Sequence, residues 1–266
     1  MRLDWFSRFA PSAALVVLGS LGHASTASAD DVTVVVEVAK DATIFARPDG
    51  TGTGNASGKG PALFAGTDGQ SNLKRSLIAF DLAAAAIPAG ATVTNVTMTL
   101  FVAQVAGSGG GGGGSGSRTL RLFTLQSDWG EGPSGSPTST TVGGTGQGFV
   151  GQPGDSTWDY AMLNVTPWLA PGGDVAAVDA ASGTFDAPFA VNSPLSWSSP
   201  GMLADVRGWM SGQALNYGWL IKSDLESTPT SFVAFWSRDG ALANNNPAIA
   251  PQLSITYTVP GAPRVP

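Results

Sequence analysis

The chain has no cysteine, and its one histidine, His23, sits in the first 29 residues. Those residues have the form of a secretory signal peptide. Arg2 and Arg8 give a basic start, Ala13 to Leu21 an apolar stretch too short to span a bilayer, and Ala27-Ser28-Ala29 an A-x-A cleavage site. The mature chain is therefore expected to begin at Asp30 and to contain neither His nor Cys. That excludes Ser-His-Asp and Cys-His catalysis, a structural Cys/His zinc and any disulfide, even though export leads to compartments where disulfides persist. Glutamate is scarce too, with only Glu37, Glu131 and Glu226. Two facing carboxyls are the minimum for glycoside hydrolysis of the usual kind. The sole pairing that the sequence offers is Glu131 with Asp128 or Asp155, so a non-catalytic protein is expected.

Charge is also sparse, at 12% of residues. Removing Arg2, Arg8 and Asp4 with the signal leaves eleven basic against eighteen acidic residues, a net charge of −7. An acidic surface with scattered Lys and Arg gives no footprint for nucleic acid or anionic lipid. After residue 29 no segment is long and apolar enough to be a membrane span. The expected location is secreted or cell-surface.

What the chain does contain is turn formers and alternating strands. Gly numbers 36 and Pro 18 in 266 residues, about a fifth of the chain, which predicts many turns between short elements. Residues 74 to 102 carry the clearest pattern. Ile78, Phe80 and Leu82 share one face, and Val96, Met98, Leu100 and Val102 share another, with Pro88-Ala89-Gly90 between the two runs. Period two predicts a hairpin-like pair of strands in need of a covering sheet. Further strands are expected at Val32–Val38, Ala42–Phe45, Ala62–Gly66, Arg118–Leu125, Thr184–Val191, Tyr217–Lys222, Ser231–Ser237 and Gln252–Val259. Pro188 places the fifth of these at a sheet edge. The glycine tract within residues 106 to 117 lacks the Lys-Ser/Thr of a phosphate-binding loop and reads as a long hairpin loop. Ser198-Ser199-Pro200 followed by Leu203, Val206, Trp209 and Met210 predicts one short helix near 201–211. Arg238-Asp239-Gly240 and three successive Asn, 244 to 246, read as a loop. The expectation is an all-β sandwich of about eight to ten short antiparallel strands, one domain over residues 30–259, with a tail at 260–266.

Several segments together resemble the DNRLRE domain family of exported proteins. They are Arg75 to Leu82 followed by Ile87 to Val93, then Asp41-Ala42-Thr43-Ile44, Asp128-Trp129-Gly130-Glu131-Gly132, Gly154-Asp155-Ser156-Thr157-Trp158, Val206-Arg207-Gly208-Trp209, Asn216-Tyr217-Gly218-Trp219 and Ser237-Arg238-Asp239. The matching segments span roughly residues 38 to 258. The resemblance implies a jelly-roll type β-sandwich similar to carbohydrate-binding modules, carried on secreted or cell-surface proteins. Some relatives carry a fused catalytic domain and others a sorting anchor, neither of which is expected from the residues of this sequence, and the family's name letters do not occur as a string.

On that resemblance the expected partner is an extracellular polysaccharide or a cell-envelope component. Loop aromatics that could stack on sugar rings are Trp158, Tyr160, Trp168 and Trp236, with Glu131 as a polar contact. Trp129 and Trp158 have a second reading as lids over the open ends of the core, each burying about 150–250 Å². A structural or adhesive envelope protein that binds no specific sugar fits the same composition. Arg75, Asp81, Arg238 and Asp239 are expected to be paired structurally. No cofactor is expected. A structural calcium held by Asp side chains and loop carbonyls suits this type of fold, although no EF-hand or repeated acidic motif specifies one.

Overall fold

Alternating β-branched residues need a neighbouring strand for their backbone and a second layer for their apolar face. In the computed structural model, which describes residues 30–51, 53–105, 116–142 and 146–259, the first such run finds both within one long strand, β1 (Asp30–Ala46). Short strands β2 (Asn55–Ser57), β3 (Ala62–Thr67) and β4 (Leu73–Phe80) follow, then a second long one, β5 (Thr92–Val105), and β6 (Arg118–Thr124). After them come β7 (Phe149–Val150), β8 (Tyr160–Met162), β9 (Thr166–Pro167), β10 (Ala181–Phe185) and β11 (Pro194–Trp197). Helix α1 (Pro200–Met210), β12 (Trp219–Ser223), β13 (Val233–Trp236), helix α2 (Arg238–Ala243) and β14 (Gln252–Val259) complete the order. The expected signal peptide, residues 106–115 of the glycine tract and the tail at 260–266 lie outside the described residues.

The fold is all-β, and every pairing between these strands is antiparallel. The two long strands join the layers. β1 pairs with β14 from Asp30 to Glu37, passes an irregularity between Val38 and Lys40, and then pairs with β4 up to Ala46. β5 pairs with β14 from Thr92 to Thr99 and with β13 from Val102 to Val105. Because β13 also pairs with β3, and β3 with β4, the ladder runs β1, β4, β3, β13, β5, β14 and back to β1. The sandwich is thus also barrel-like. β12, β6 and β10 extend it from β4, β11 from β5, and β2 with β7 from β1.

The strand pair expected within residues 74–102 is real as two strands but not as a hairpin. β4 takes β1, β3 and β12 as partners, whereas β5 takes β14, β13 and β11. Asp81 is the reason: its Oδ1 accepts a hydrogen bond from Ala83 N at 3.0 Å and caps a 3₁₀ turn over Leu82–Ala85, so the strand stops and the chain crosses to the other layer. Ile78 and Phe80 then meet Val96, Met98 and Leu100 within one core. β5 and β6, on either side of the glycine tract, are likewise unpaired with each other, since β6 lies between β10 and β12. Pro188 falls beyond β10, which does occupy a sheet edge. The loop expected at 238–246 begins instead with α2, capped by Ser237 Oγ accepting from Gly240 N.

α1 forms where expected. Ser199 Oγ accepts from Met202 N, Pro200 opens the first turn, and Met202, Val206 and Trp209 are buried while Met210 is exposed. The main core also holds Trp197, edge-on to Phe185 and Phe235 at 5.0 and 6.0 Å, and Trp219, 4.7 Å from Trp209. β4 is covered on its outer face as well. Leu77 and Ala79 pack with Ala42, Ile44, Leu220, Trp129 and Trp168 in a second apolar cluster.

Entry into β12 depends on Gly218, whose φ of +79° and close approach leave no room for a side chain. A Cβ there would lie 2.0 Å from the Ile78 carbonyl oxygen. Gly212 has a similar φ of +72° but open space around it. Urea unfolding is expected to show Gly212→Ala costing about 1 kcal/mol, the strain of a left-handed backbone alone, and Gly218→Ala costing more than about 3 kcal/mol. Equal costs would mean that the close approach to β4 contributes nothing.

Candidate functional site

Among the places where described polar or aromatic side chains come together are the loops over the outer face of β4, a cluster of charges beside β1, and a cleft along α1.

The loops over β4 hold most of the aromatics expected to meet sugar. Trp168 is buried at 5% exposure and donates its indole N–H to Thr157 O at 2.9 Å. Trp236 is buried at 7% in β13, with its indole N–H on Asn192 Oδ1 at 2.7 Å. A stacking platform needs an open ring face, so both are corrected from sugar contacts to core residues with satisfied polar edges. Trp129 is buried too, its indole N–H on Tyr217 O at 2.8 Å, in keeping with a lid. Trp158 and Tyr160 are half-buried. The Arg75 guanidinium sits 4.6 Å from the Trp158 ring centre and is held there by two hydrogen bonds to Glu226, at 2.8 and 2.9 Å, so one face of Trp158 is already covered.

The charge cluster joins segments far apart in sequence. Glu131 Oε1 accepts from Arg238 Nη2 at 2.5 Å and from Asp41 N at 3.1 Å, and Oε2 accepts from Lys59 Nζ at 2.5 Å. Asp239 adds longer ion pairs to Lys59 and Arg238, at 3.7 and 3.8 Å. Asp41 Oδ2 accepts from Arg238 N at 2.8 Å, while its buried Oδ1 has no hydrogen-bond partner among the described residues. The two carboxyls that could have faced Glu131 have partners of their own. Asp128 is engaged by Lys40 at 2.8 Å, and Asp155 is fully buried and bound to Ser134 and to Gln152 N. The expected pairing of Arg75, Arg238 and Asp239 is observed, whereas that of Asp81 is corrected: it is exposed and spends its carboxylate on capping the 3₁₀ turn.

Carboxylate oxygens of Asp41, Glu131 and Asp239 lie within 4.8 Å of one another, the right compass for a cation. The residues do not fit a calcium ion, however. Calcium takes six to eight oxygens, and here both Glu131 oxygens are already occupied by cationic side chains. Burial pushes the Asp41 carboxyl up to about 7, with the Glu131 and Asp239 charges adding to the rise against the Arg238 contacts. Burial raises Asp239 as well. With Asp41 protonated, two carboxylates face two cations and the cluster is neutral.

The third place was not anticipated as a site. Thr124, Leu125, Gln126, Asp205, Trp209 and Tyr217 line a cleft of about 490 Å³ between α1 and the end of β6. Asp205 is fixed by two donors to its Oδ2, Thr124 Oγ1 at 2.7 Å and Trp219 Nε1 at 2.8 Å, and no described residue bonds its Oδ1. The two segments flanking the cleft, Val206 to Trp209 and Asn216 to Trp219, are both among those that carry the family resemblance. Their joint recurrence around one helix was the available signal.

Comparison of the chain with protein-family models and with curated proteins gives no match. The charge cluster makes its own prediction. A carboxyl whose pKa is higher in the folded than in the unfolded chain contributes stability below the unfolded value and loses it as pH rises through the folded one. Between pH 3.8 and about 7, Asp41 should therefore cost the fold up to about 4 kcal/mol, at about 1.4 kcal/mol per unit. Asp41→Asn, which mimics the protonated form, should match the wild type below pH 4 in chemical denaturation and become progressively more stable than it up to pH 7. Parallel curves across that range would show that Asp41 does not titrate there.

Proposed function

We propose that this chain is an exported, non-catalytic module that binds extracellular polysaccharide, with the cleft beside α1 as its binding site. The observation that carries this reading is the composition of the cleft. Tyr217, half-buried at the cleft, provides aromatic surface for the C–H face of a sugar ring, and Asp205, Gln126 and Thr124 place polar groups at its border. Asp205 is pre-organised by its bonds to Thr124 and Trp219, so orienting it costs little on binding. The all-β sandwich and the likeness to DNRLRE domains support the same class of function by analogy. Engagement of Glu131 by Lys59 and Arg238 weighs against a carboxylate-dependent cleavage reaction.

A second reading, an adhesive or structural envelope protein, draws on the exposed Val150, Val165 and Leu169, three large apolar side chains in the loop region from 149 to 170. These would suit a protein partner better than a sugar.

The mature chain, residues 30–266, can be tested on a polysaccharide array with and without calcium. The expected result is binding that is indifferent to calcium and that weakens at least about tenfold, or about 1.4 kcal/mol, in Tyr217→Ala with an unchanged fold. Trp158→Ala should bind as the wild type does. Loss only in Trp158→Ala would move the site to the outer loops, and no binding to any polysaccharide would favour the adhesive reading.

A further inference from the structure

A lysine inside a protein is normally found with its ammonium at the surface, because the stem can reach it. Lys74 is different. Its side chain is 0% exposed, and its Nζ donates to Asp68 Oδ2 at 2.8 Å and to Asn72 O at 3.1 Å. Asp68 Oδ2 also accepts from Asn72 Nδ2 at 2.8 Å and from Gln147 Nε2 at 2.9 Å, while Oδ1 accepts from the backbone N–H groups of Gln70 and Asn72. One carboxylate oxygen thus holds an amine and a carboxamide side by side, in a site walled by Phe64 and Phe232. The Phe232 ring centre is 5.9 Å from Nζ.

We propose that Lys74 and Asn72 form an intramolecular amide bond, with Asp68 as the group that moves the protons. Asp68 takes a proton from Nζ, and the lone pair of the neutral amine attacks Cγ of Asn72. Asp68 delivers that proton to Nδ2, the Cγ–Nδ2 bond breaks, and ammonia leaves. The second proton lost by Nζ stays on Asp68, which ends as the neutral acid. One C–N bond forms and one breaks, with no change in oxidation state, so no further reactant is needed.

The surroundings favour each step. Burial lowers the Lys74 pKa against the opposing pull of Asp68, which eases release of the first proton. Burial alone would raise the Asp68 carboxyl, but its hydrogen bonds from Lys74 and Asn72 outweigh this and hold it lower, so it starts as the base. A cleft of about 220 Å³ lined by Asp68 and Lys74, and bordered also by Gln104 and Gln147, leaves space for the ammonia released. The product replaces a buried ion pair by a neutral amide, which removes the desolvation burden of the charges. Because the ring closed is small, its effect on unfolded-chain entropy is slight. Its consequence is a locked turn between β3 and β4.

This inference does not depend on sugar binding, and mass spectrometry tests it directly. The mature wild-type chain should weigh one ammonia less than its sequence mass. In denatured digests trypsin should fail to cleave after Lys74, and fragmentation should yield no break between residues 72 and 74. Asn72→Ala and Lys74→Met should each have their full sequence mass. The proposal is overturned by a wild-type chain of full sequence mass, by an ammonia loss that leaves Lys74 cleavable, or by a deficit that persists in Asn72→Ala. The wild-type measurement decides the matter even where a variant does not fold.

Discussion

The constraint on which the rest depends is that β4 is buried on both faces. Ile78 and Phe80 enter the main core, while Leu77 and Ala79 need a cover of their own on the outside. What lies there is the small two-stranded sheet of β8 and β9, whose Ala161 joins the second cluster. The rest of the cover comes from the loops between residues 126 and 175, which contribute Trp129 and Trp168; the Trp168 indole N–H satisfies Thr157 O within those loops, and that of Trp129 satisfies Tyr217 O ahead of β12. A loop that must seal apolar surface cannot wander, and this explains why so much irregular chain is tied down by specific bonds. It also explains the charges on β4. Lys74 and Arg75 enter a strand that offers them no open water, so Asp68 and Glu226 are brought to meet them.

The charge cluster follows the same logic at longer range. Asp41 on β1, Lys59 after β2, Glu131 in the outer loops and Arg238 at the start of α2 come from four separate stretches, and they fasten the loop layer to the strands. In a chain so poor in charge, many of the ionic groups are spent inside the molecule. Breaking one partner of such a network leaves the other buried and alone, which costs far more than the pair is worth intact.

Much of this was legible beforehand. β14 has the bounds that its alternation predicts, and Ser199-Pro200 marks the start of α1. Period two reveals which residues share a face but says nothing about which strand lies alongside, so the pairings of β4 and β5 had to be seen in three dimensions. It also fails where both faces are buried, as at Leu77 and Ala79. The Arg238-Asp239-Gly240 segment looks like a turn locally, and only the Ser237 cap and the contacts of Gly240 and Ala241 make it a helix. Trp168 and Trp236 could not be sorted into platform or core from composition, because an indole suits either role until its neighbours are known. The cleft beside α1 depends on Thr124, Asp205 and Tyr217 coming together from distant parts of the chain, and no local pattern carries that information.

The circuit of pairings through β1, β4, β3, β13, β5 and β14 has a consequence for association between copies of the chain. Strands in a closed ladder present no row of free N–H and C=O groups to another chain. Free edges remain on short outlying strands, among them the two residues of β7, the five of β10 and the four of β11, which opens on a proline. Such edges are poor templates for a foreign strand. The fold therefore offers other copies of the chain few unpaired backbone groups at which a sheet could be extended.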